Sequence, residues 1–166
     1  PGNSVATTVA LQADGKVLVG GYTSYVRSGA PVAWTLLRYT PSGTLDPTFA
    51  DAGKLVTSFQ ADSGQAWIRA LAVQPDGKIV ALGQLYFPDS GWSEPSYDTG
   101  LLRYNPDGTL DTTFANQGQW QTRLPLKLDK TTHPLALQPD GKIVMVGNRT
   151  VDGQTQFVLV RLNSDG

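Results

Sequence analysis

Leu11-Gln12-Ala13-Asp14-Gly15-Lys16-Val17-Leu18-Val19 returns with little change as Val73-Gln74-Pro75-Asp76-Gly77-Lys78-Ile79-Val80 and again as Leu137-Gln138-Pro139-Asp140-Gly141-Lys142-Ile143-Val144. Measured from Gln12 to Gln74 to Gln138, the periods are 62 and 64 residues. Self-similarity at a fixed spacing of this size is the signature of one supersecondary unit built repeatedly. A residue present in every copy is therefore read first as architecture, and function is sought in what does not recur.

Within each unit the pattern reads as strands. A short apolar run such as Thr8-Val9-Ala10-Leu11 or Ala70-Leu71-Ala72-Val73 precedes the Asp-Gly pair, which favours positive φ in tight hairpins. The run after it, 16–20, 78–83 or 142–147, is β-branched and apolar and ends at Gly, too short for a helix. A third strand follows at Trp34–Tyr39, Gly100–Tyr104 and Phe157–Leu162, carrying the recurring Leu-Leu-Arg-Tyr phrase or its variant Leu159-Val160-Arg161-Leu162. The turns Pro41-Ser42-Gly43 and Pro106-Asp107-Gly108 then lead to Leu45-Asp46-Pro47-Thr48-Phe49 and Leu110-Asp111-Thr112-Thr113-Phe114. Asp46 before Pro47 predicts an N-cap and one helical turn with Phe49 tucked inward. Gly53 and Gly118 open a fourth strand, 54–59 and 119–124.

The predicted class is all-β. Four antiparallel strands per unit of this length, repeated radially, make β-propeller blades. Blade 1 is placed at residues 1–62, blade 2 at 63–126 and a three-stranded partial blade 3 at 127–166, giving eleven strands and about 2.75 blades. That is an incomplete ring. Gly166 aligns with Gly43 and Gly108, whose sequels run on through another strand, so the chain is expected to be a piece of a longer protein. Ring completion by further blades, by a homodimer, or by pairing at an open strand edge is expected.

Composition narrows the partners. Hydrophobic residues make up 40% and charged residues 16% of the 166, a globular balance. Lys plus Arg is 13 against Asp plus Glu 14, so no field draws the chain to nucleic acid. No apolar run is long enough for a membrane-spanning helix. There is no Cys, which removes thiolate sites and disulfides, and the Asn, Gln, Thr, Ser and Gly richness with a single Glu suits an exported bacterial repeat protein.

Gln74-Pro75-Asp76-Gly77-Lys78-Ile79-Val80, Leu102-Arg103-Tyr104-Asn105 and Asp107-Gly108-Thr109-Leu110-Asp111 resemble the repeat of the delta-sixty repeat family of bacterial proteins. The likeness spans essentially the whole chain, with Ala13, Thr40 and Ser42 departing from it. It implies a β-propeller-like protein, secreted or on the cell surface, and it implies no reaction.

The chemistry offered by the repeats is largely consumed by structure. Asn105, Asp107 and Asp111 are oxygen donors spaced for calcium, but copy one carries Thr40 and Ser42 at two of these positions, and turn formation explains all of them. Arg38, Arg103 and Arg161 are expected to pair with the Asp of the Leu-Asp step or with turn carbonyls between blades. The amides of Gln12, Gln74 and Gln138 are expected to satisfy backbone groups at a strand end. No motif for a cofactor, metal or nucleophile is present, and no catalytic residue is assigned.

What does not repeat is the connection between strands two and three, long at 22–33 and 84–99 and short at 148–156. Loops on a rigid scaffold are where binding resides. The candidate binding residues are Tyr22, Tyr25, Arg27, Tyr86, Phe87, Trp92, Glu94 and Tyr97, aromatic faces beside a carboxylate that suit a protein or glycan partner. The expected role is a non-catalytic scaffold, adhesion or interaction module. The alternative is a carbohydrate-binding or carbohydrate-active domain in which Glu94 pairs with Asp89 or Asp98 as a glycosidase's two carboxylates. His133, before Pro134, is read as an edge residue without a nucleophile partner.

Overall fold

The computed structural model describes residues 3–24, 33–58, 65–87, 96–122, 128 and 134–166. Eleven strands occur among them and no helix. They are β1 Asn3–Leu11, β2 Val17–Ser24, β3 Ala33–Tyr39, β4 Lys54–Ser58, β5 Gln65–Val73, β6 Ile79–Phe87, β7 Ser96–Tyr104, β8 Gln119–Thr122, β9 Leu135–Leu137, β10 Ile143–Val151 and β11 Gln154–Leu162. They form three open antiparallel sheets in chain order: β1-β2-β3-β4, β5-β6-β7-β8 and β9-β10-β11.

The Asp-Gly pairs do turn the chain, but in a three-residue connection. Gln12 N donates to Lys16 O at 2.9 Å and Gly15 N to Gln12 O at 3.0 Å. Of the turn residues only the Gly takes positive φ, 81° at Gly15, 84° at Gly77 and 82° at Gly141. Asp14 contributes through its side chain, whose Oδ1 accepts from Lys16 N at 3.2 Å, and Asp76 does the same for Lys78. The two-residue hairpin appears elsewhere, at Asp152-Gly153 between β10 and β11, with φ of 50° and 75°. It joins Val151 and Gln154 directly, so the third copy has a tight turn where a loop over 148–156 was expected.

Two other expectations are corrected. Pro47–Ala50 is a turn and no helix forms there. Asp46 Oδ1 accepts from Thr48 N at 3.0 Å, an Asx turn, and Ala50 at φ 45° ends any helical continuation. Phe49 is nevertheless fully buried, as the pattern required. The strands flanking the long connections also run further than expected. Tyr22 is in β2, Tyr86 and Phe87 are in β6, and Tyr97 is in β7, with Tyr86 opposite Tyr97 and Phe87 opposite Ser96. Aromatic residues in cross-strand register prolong pairing instead of ending it.

The second sheet has two apolar faces and packs each against a neighbouring sheet. Leu18, Trp34, Leu36 and Phe49 of the first sheet pack with Ile68, Ile79, Ala81 and Leu102 of the second. The opposite face of the second, with Val80, Leu82, Leu101 and Phe114, packs with Ile143 and Met145 of the third. Burying each such side chain contributes about 1.5–3 kcal/mol, so these two inter-sheet layers are the core. β1 and β5 share a bulge, at Thr7 and Arg69, where the register with the next strand shifts by one. Thr7 Oγ1 uses the bulge to donate across the gap to the Ile68 carbonyl at 2.5 Å.

Candidate functional site

The sheets have two ends. One carries the Asp-Gly turns and the β3–β4 and β7–β8 turns; the other carries the β2–β3 and β6–β7 connections.

At the turn end the recurring charges of the first two copies are paired, whereas Arg161, expected to pair in the same way, has no hydrogen bond or ion pair among the described residues. Arg38 on β3 donates through Nε to Asp46 Oδ2 at 2.8 Å, through a terminal nitrogen to Thr48 Oγ1 at 3.2 Å, and through the other to the Pro106 carbonyl at 2.5 Å. Lys16 reaches the same carboxylate at 3.1 Å. The second copy repeats this: Arg103 Nε to Asp111 Oδ2 at 2.7 Å, Lys78 to Asp111 at 3.0 Å, and Arg103 to the Ser164 carbonyl at 2.5 Å. Both partners expected for the Arg, its own Asp and the neighbouring sheet's turn carbonyl, are therefore bound at once. Each guanidinium also lies over a buried ring, Phe49 at 4.5 Å and Phe114 at 4.4 Å.

This arrangement locks the carboxylates as anions. Hydrogen bonds from the Thr48 hydroxyl and amide, joined by Lys16 and Arg38, hold Asp46 well below the ordinary carboxylate range. Burial opposes ionisation at Asp111, but Thr113, Lys78 and Arg103 outweigh it and hold it equally low. A carboxylate so engaged cannot serve as a general acid or base at neutral pH. The oxygen donors spaced for calcium have protein partners here: Asp111 faces two cations, Asp107 Oδ1 accepts from Thr109 N and Oγ1, and Asn105 Nδ2 donates to Thr109 Oγ1.

A depressed folded-state value stabilises the fold above the unfolded carboxylate value near 4 and withdraws that stabilisation as pH falls below it. Urea midpoints are thus expected to be flat near neutrality and to fall on going from pH 7 to pH 3. Asp111→Asn should start lower at pH 7 and show a shallower acid slope. A wild-type midpoint that does not move over that range would contradict the role given to these two residues.

Between the first two sheets at this end lies a cleft of about 640 Å³, bordered by Gln12, Lys16, Arg38, Gln74, Asp76 and Asp107. The side-chain oxygens of Gln12, Gln74 and Gln138 are buried and accept no hydrogen bond among the described residues, contrary to the expectation that they satisfy a strand end. The reason is local. The backbone groups they were to serve are already paired across the three-residue turns, Gln12 N with Lys16 O and Gln12 O with Gly15 N.

At the other end the candidate binding residues separate. Tyr22 packs edge-on against Trp67 of the second sheet, with ring centroids 6.4 Å apart and planes at 89°, and so seals the inter-sheet gap. The backbones of Tyr86, Phe87 and Tyr97 bring those positions to the end of the β6–β7 ladder. Tyr25, Arg27, Trp92 and Glu94 lie outside the described residues, as do Asp89 and His133. Asp98 is on β7, buried, and its Oδ2 accepts from Gln121 Nε2 at 2.9 Å, so it is a sheet residue and not a loop carboxylate.

A repeat array of antiparallel sheets, each packed face to face on the next and tied by an Arg-to-turn contact, is of the β-propeller class. The chain belongs to the family described as "Domain of unknown function (DUF5122) beta-propeller", whose pattern matches residues 12–49, 74–114 and 138–166. Each of the first two matches begins at the recurring Gln and ends at the Phe beneath the guanidinium, so the shared pattern covers the Lys, Arg and Asp of each polar tie. No curated protein matches the chain.

Proposed function

We propose that the chain is a non-catalytic scaffold and interaction module of an exported bacterial protein of the delta-sixty repeat type. Its two four-stranded blades and three-stranded third blade present the β2–β3 and β6–β7 connections to a protein or glycan partner. The observation that carries this reading is that the recurring polar residues are consumed in holding sheet to sheet. The non-repeating aromatic residues around 84–99 are left as the variable part, as befits loops on a rigid frame. Among the described residues no helix is long and apolar enough to cross a membrane.

The rival reading, a carbohydrate-active domain, draws on Trp92, Glu94 and Tyr97. It has lost one of its proposed carboxylates, since Asp98 is engaged within its sheet. The two are separated by measuring adhesion to bacterial cells and release of reducing ends from oligosaccharides, for the parent chain, Trp92→Ala and Glu94→Gln. The expected result is no hydrolysis by any of them and a tenfold or greater loss of adhesion for Trp92→Ala, the effect of deleting an aromatic anchor worth at least about 1.4 kcal/mol. Hydrolysis by the parent chain that disappears in Glu94→Gln would overturn the scaffold reading. Unchanged adhesion in both variants would remove these residues from the binding face.

A further inference from the structure

The two outermost sheet faces are the two halves of a junction that the chain already makes twice. On the first sheet, Val9, Leu11, Val17, Val19, Leu37 and Tyr39 share the face turned away from the second sheet, by the register of β1, β2 and β3. Their equivalents in the second sheet, Leu71, Val73, Ile79, Ala81, Leu102 and Tyr104, are those that receive the first sheet. On the third sheet, Val144, Val146, Phe157, Leu159 and Arg161 share the face turned away from the second. Their equivalents in the first sheet are Leu18, Gly20, Trp34, Leu36 and Arg38, the face that inserts into the second.

Both outer faces are apolar and open. Val9 is 62% and Leu11 73% exposed at one end of the array; Phe157 is 89% and Leu159 61% exposed at the other. Large aromatic and aliphatic side chains exposed together on a face mark an interaction surface. The polar tie is half-built in the same sense. Arg38 and Arg103 each reach a turn carbonyl of the following sheet, Pro106 and Ser164, whereas Arg161 makes no hydrogen bond or ion pair among the described residues. The residue corresponding to Pro106 and Ser164 in the first sheet is Pro41.

The geometry points to a second copy of this chain as the occupant, docked head to tail. The third sheet of one copy packs on the first sheet of the other, and the reverse contact closes the pair. Phe157 then takes the place of Trp34, whose ring lies over Gly83, and meets Gly21, the corresponding glycine of the first sheet. Arg161 finds the Pro41 carbonyl. Two such junctions join six sheets, within the range of four to eight blades that closes a propeller. The contact is heterologous: one copy's tail always meets the other's head, and closure into a pair removes the tendency to polymerise. This assembly goes beyond the binding role proposed above and does not depend on it.

The test is solution mass by light scattering coupled to size exclusion, on the parent chain, Phe157→Asp and Val9→Lys, with circular dichroism to show that each variant keeps its β signal. The parent chain is expected at twice the 17.8 kDa chain mass. Each variant alone should run as a monomer, because either change spoils both junctions. An equimolar mixture of the two should recover the doubled mass, since a mixed pair retains one native junction. A monomeric parent chain, or a parent mass above that of a pair, overturns the proposal. So does a Val9→Lys protein that remains dimeric, which would mean tail-to-tail contact.

Discussion

Gly83→Ala is expected to cost the chain about 3 kcal/mol or more, enough to unfold it or to lower its urea midpoint severely. A Cβ on Gly83 would overlap the Trp67 carbonyl oxygen within its own sheet and Trp34 Cζ2 from the neighbouring one. The first obstacle is backbone and cannot rotate away; the second is a fully buried ring wedged between two sheets. Gly43→Ala is the control. Nothing lies within 4 Å of its Cβ position, and only the positive φ of 85° is strained, so a loss of about 1 kcal/mol is expected. If the two substitutions cost the same in chemical denaturation, close packing between the sheets is not what holds them together.

Trp34→Ala is expected to remove about 3–5 kcal/mol, the usual cost of emptying a buried aromatic site. Trp34 is the largest fully buried side chain among the described residues, and Ala66, Ile68 and Leu85 of the second sheet belong to the same cluster. The neighbouring backbone is fixed by two ladders, so the hole cannot collapse cheaply. Urea unfolding followed by tryptophan fluorescence and circular dichroism reads the loss directly. Combining Trp34→Ala with Gly83→Ala should cost less than the sum of the two, because one of the two overlaps has gone. It should still cost more than Trp34→Ala alone, because the Trp67 carbonyl remains. Strict additivity would place the ring away from Gly83.

The parts of this fold that the sequence revealed are those where one residue type has one physical use. Asp-Gly announced hairpins because positive φ at Gly is hard to use otherwise. The Arg of Leu-Leu-Arg-Tyr announced its carboxylate because both recur in step and neither can be buried alone. What escaped depends on neighbours. Asp46-Pro47 reads as a helix start, but the positive φ at Ala50 that halts it comes from docking, with Ala50 N donating to Asp107 O at 2.8 Å. Tyr22 and Tyr97 read as loop because aromatic residues beside Ser and Gly do not say where a ladder stops. The unpaired Gln12 and Gln74 oxygens could not be foreseen, since they result from turns that satisfy themselves. The inter-sheet cleft escaped for the same reason: its lining comes from two repeats, each unremarkable alone.

The Arg38 contact joins a residue to its own sheet and to the next one with the same guanidinium, and nothing in it refers to position along the array. A gene segment encoding one repeat could therefore be duplicated or lost, and every new seam would present the same Arg, the same turn carbonyl and the same apolar layer as the old ones. Small differences in length, such as the spacings of 62 and 64 residues, fall in the connections and leave the seams untouched. Blade number in such a lineage is free to drift, while the seam itself admits few changes.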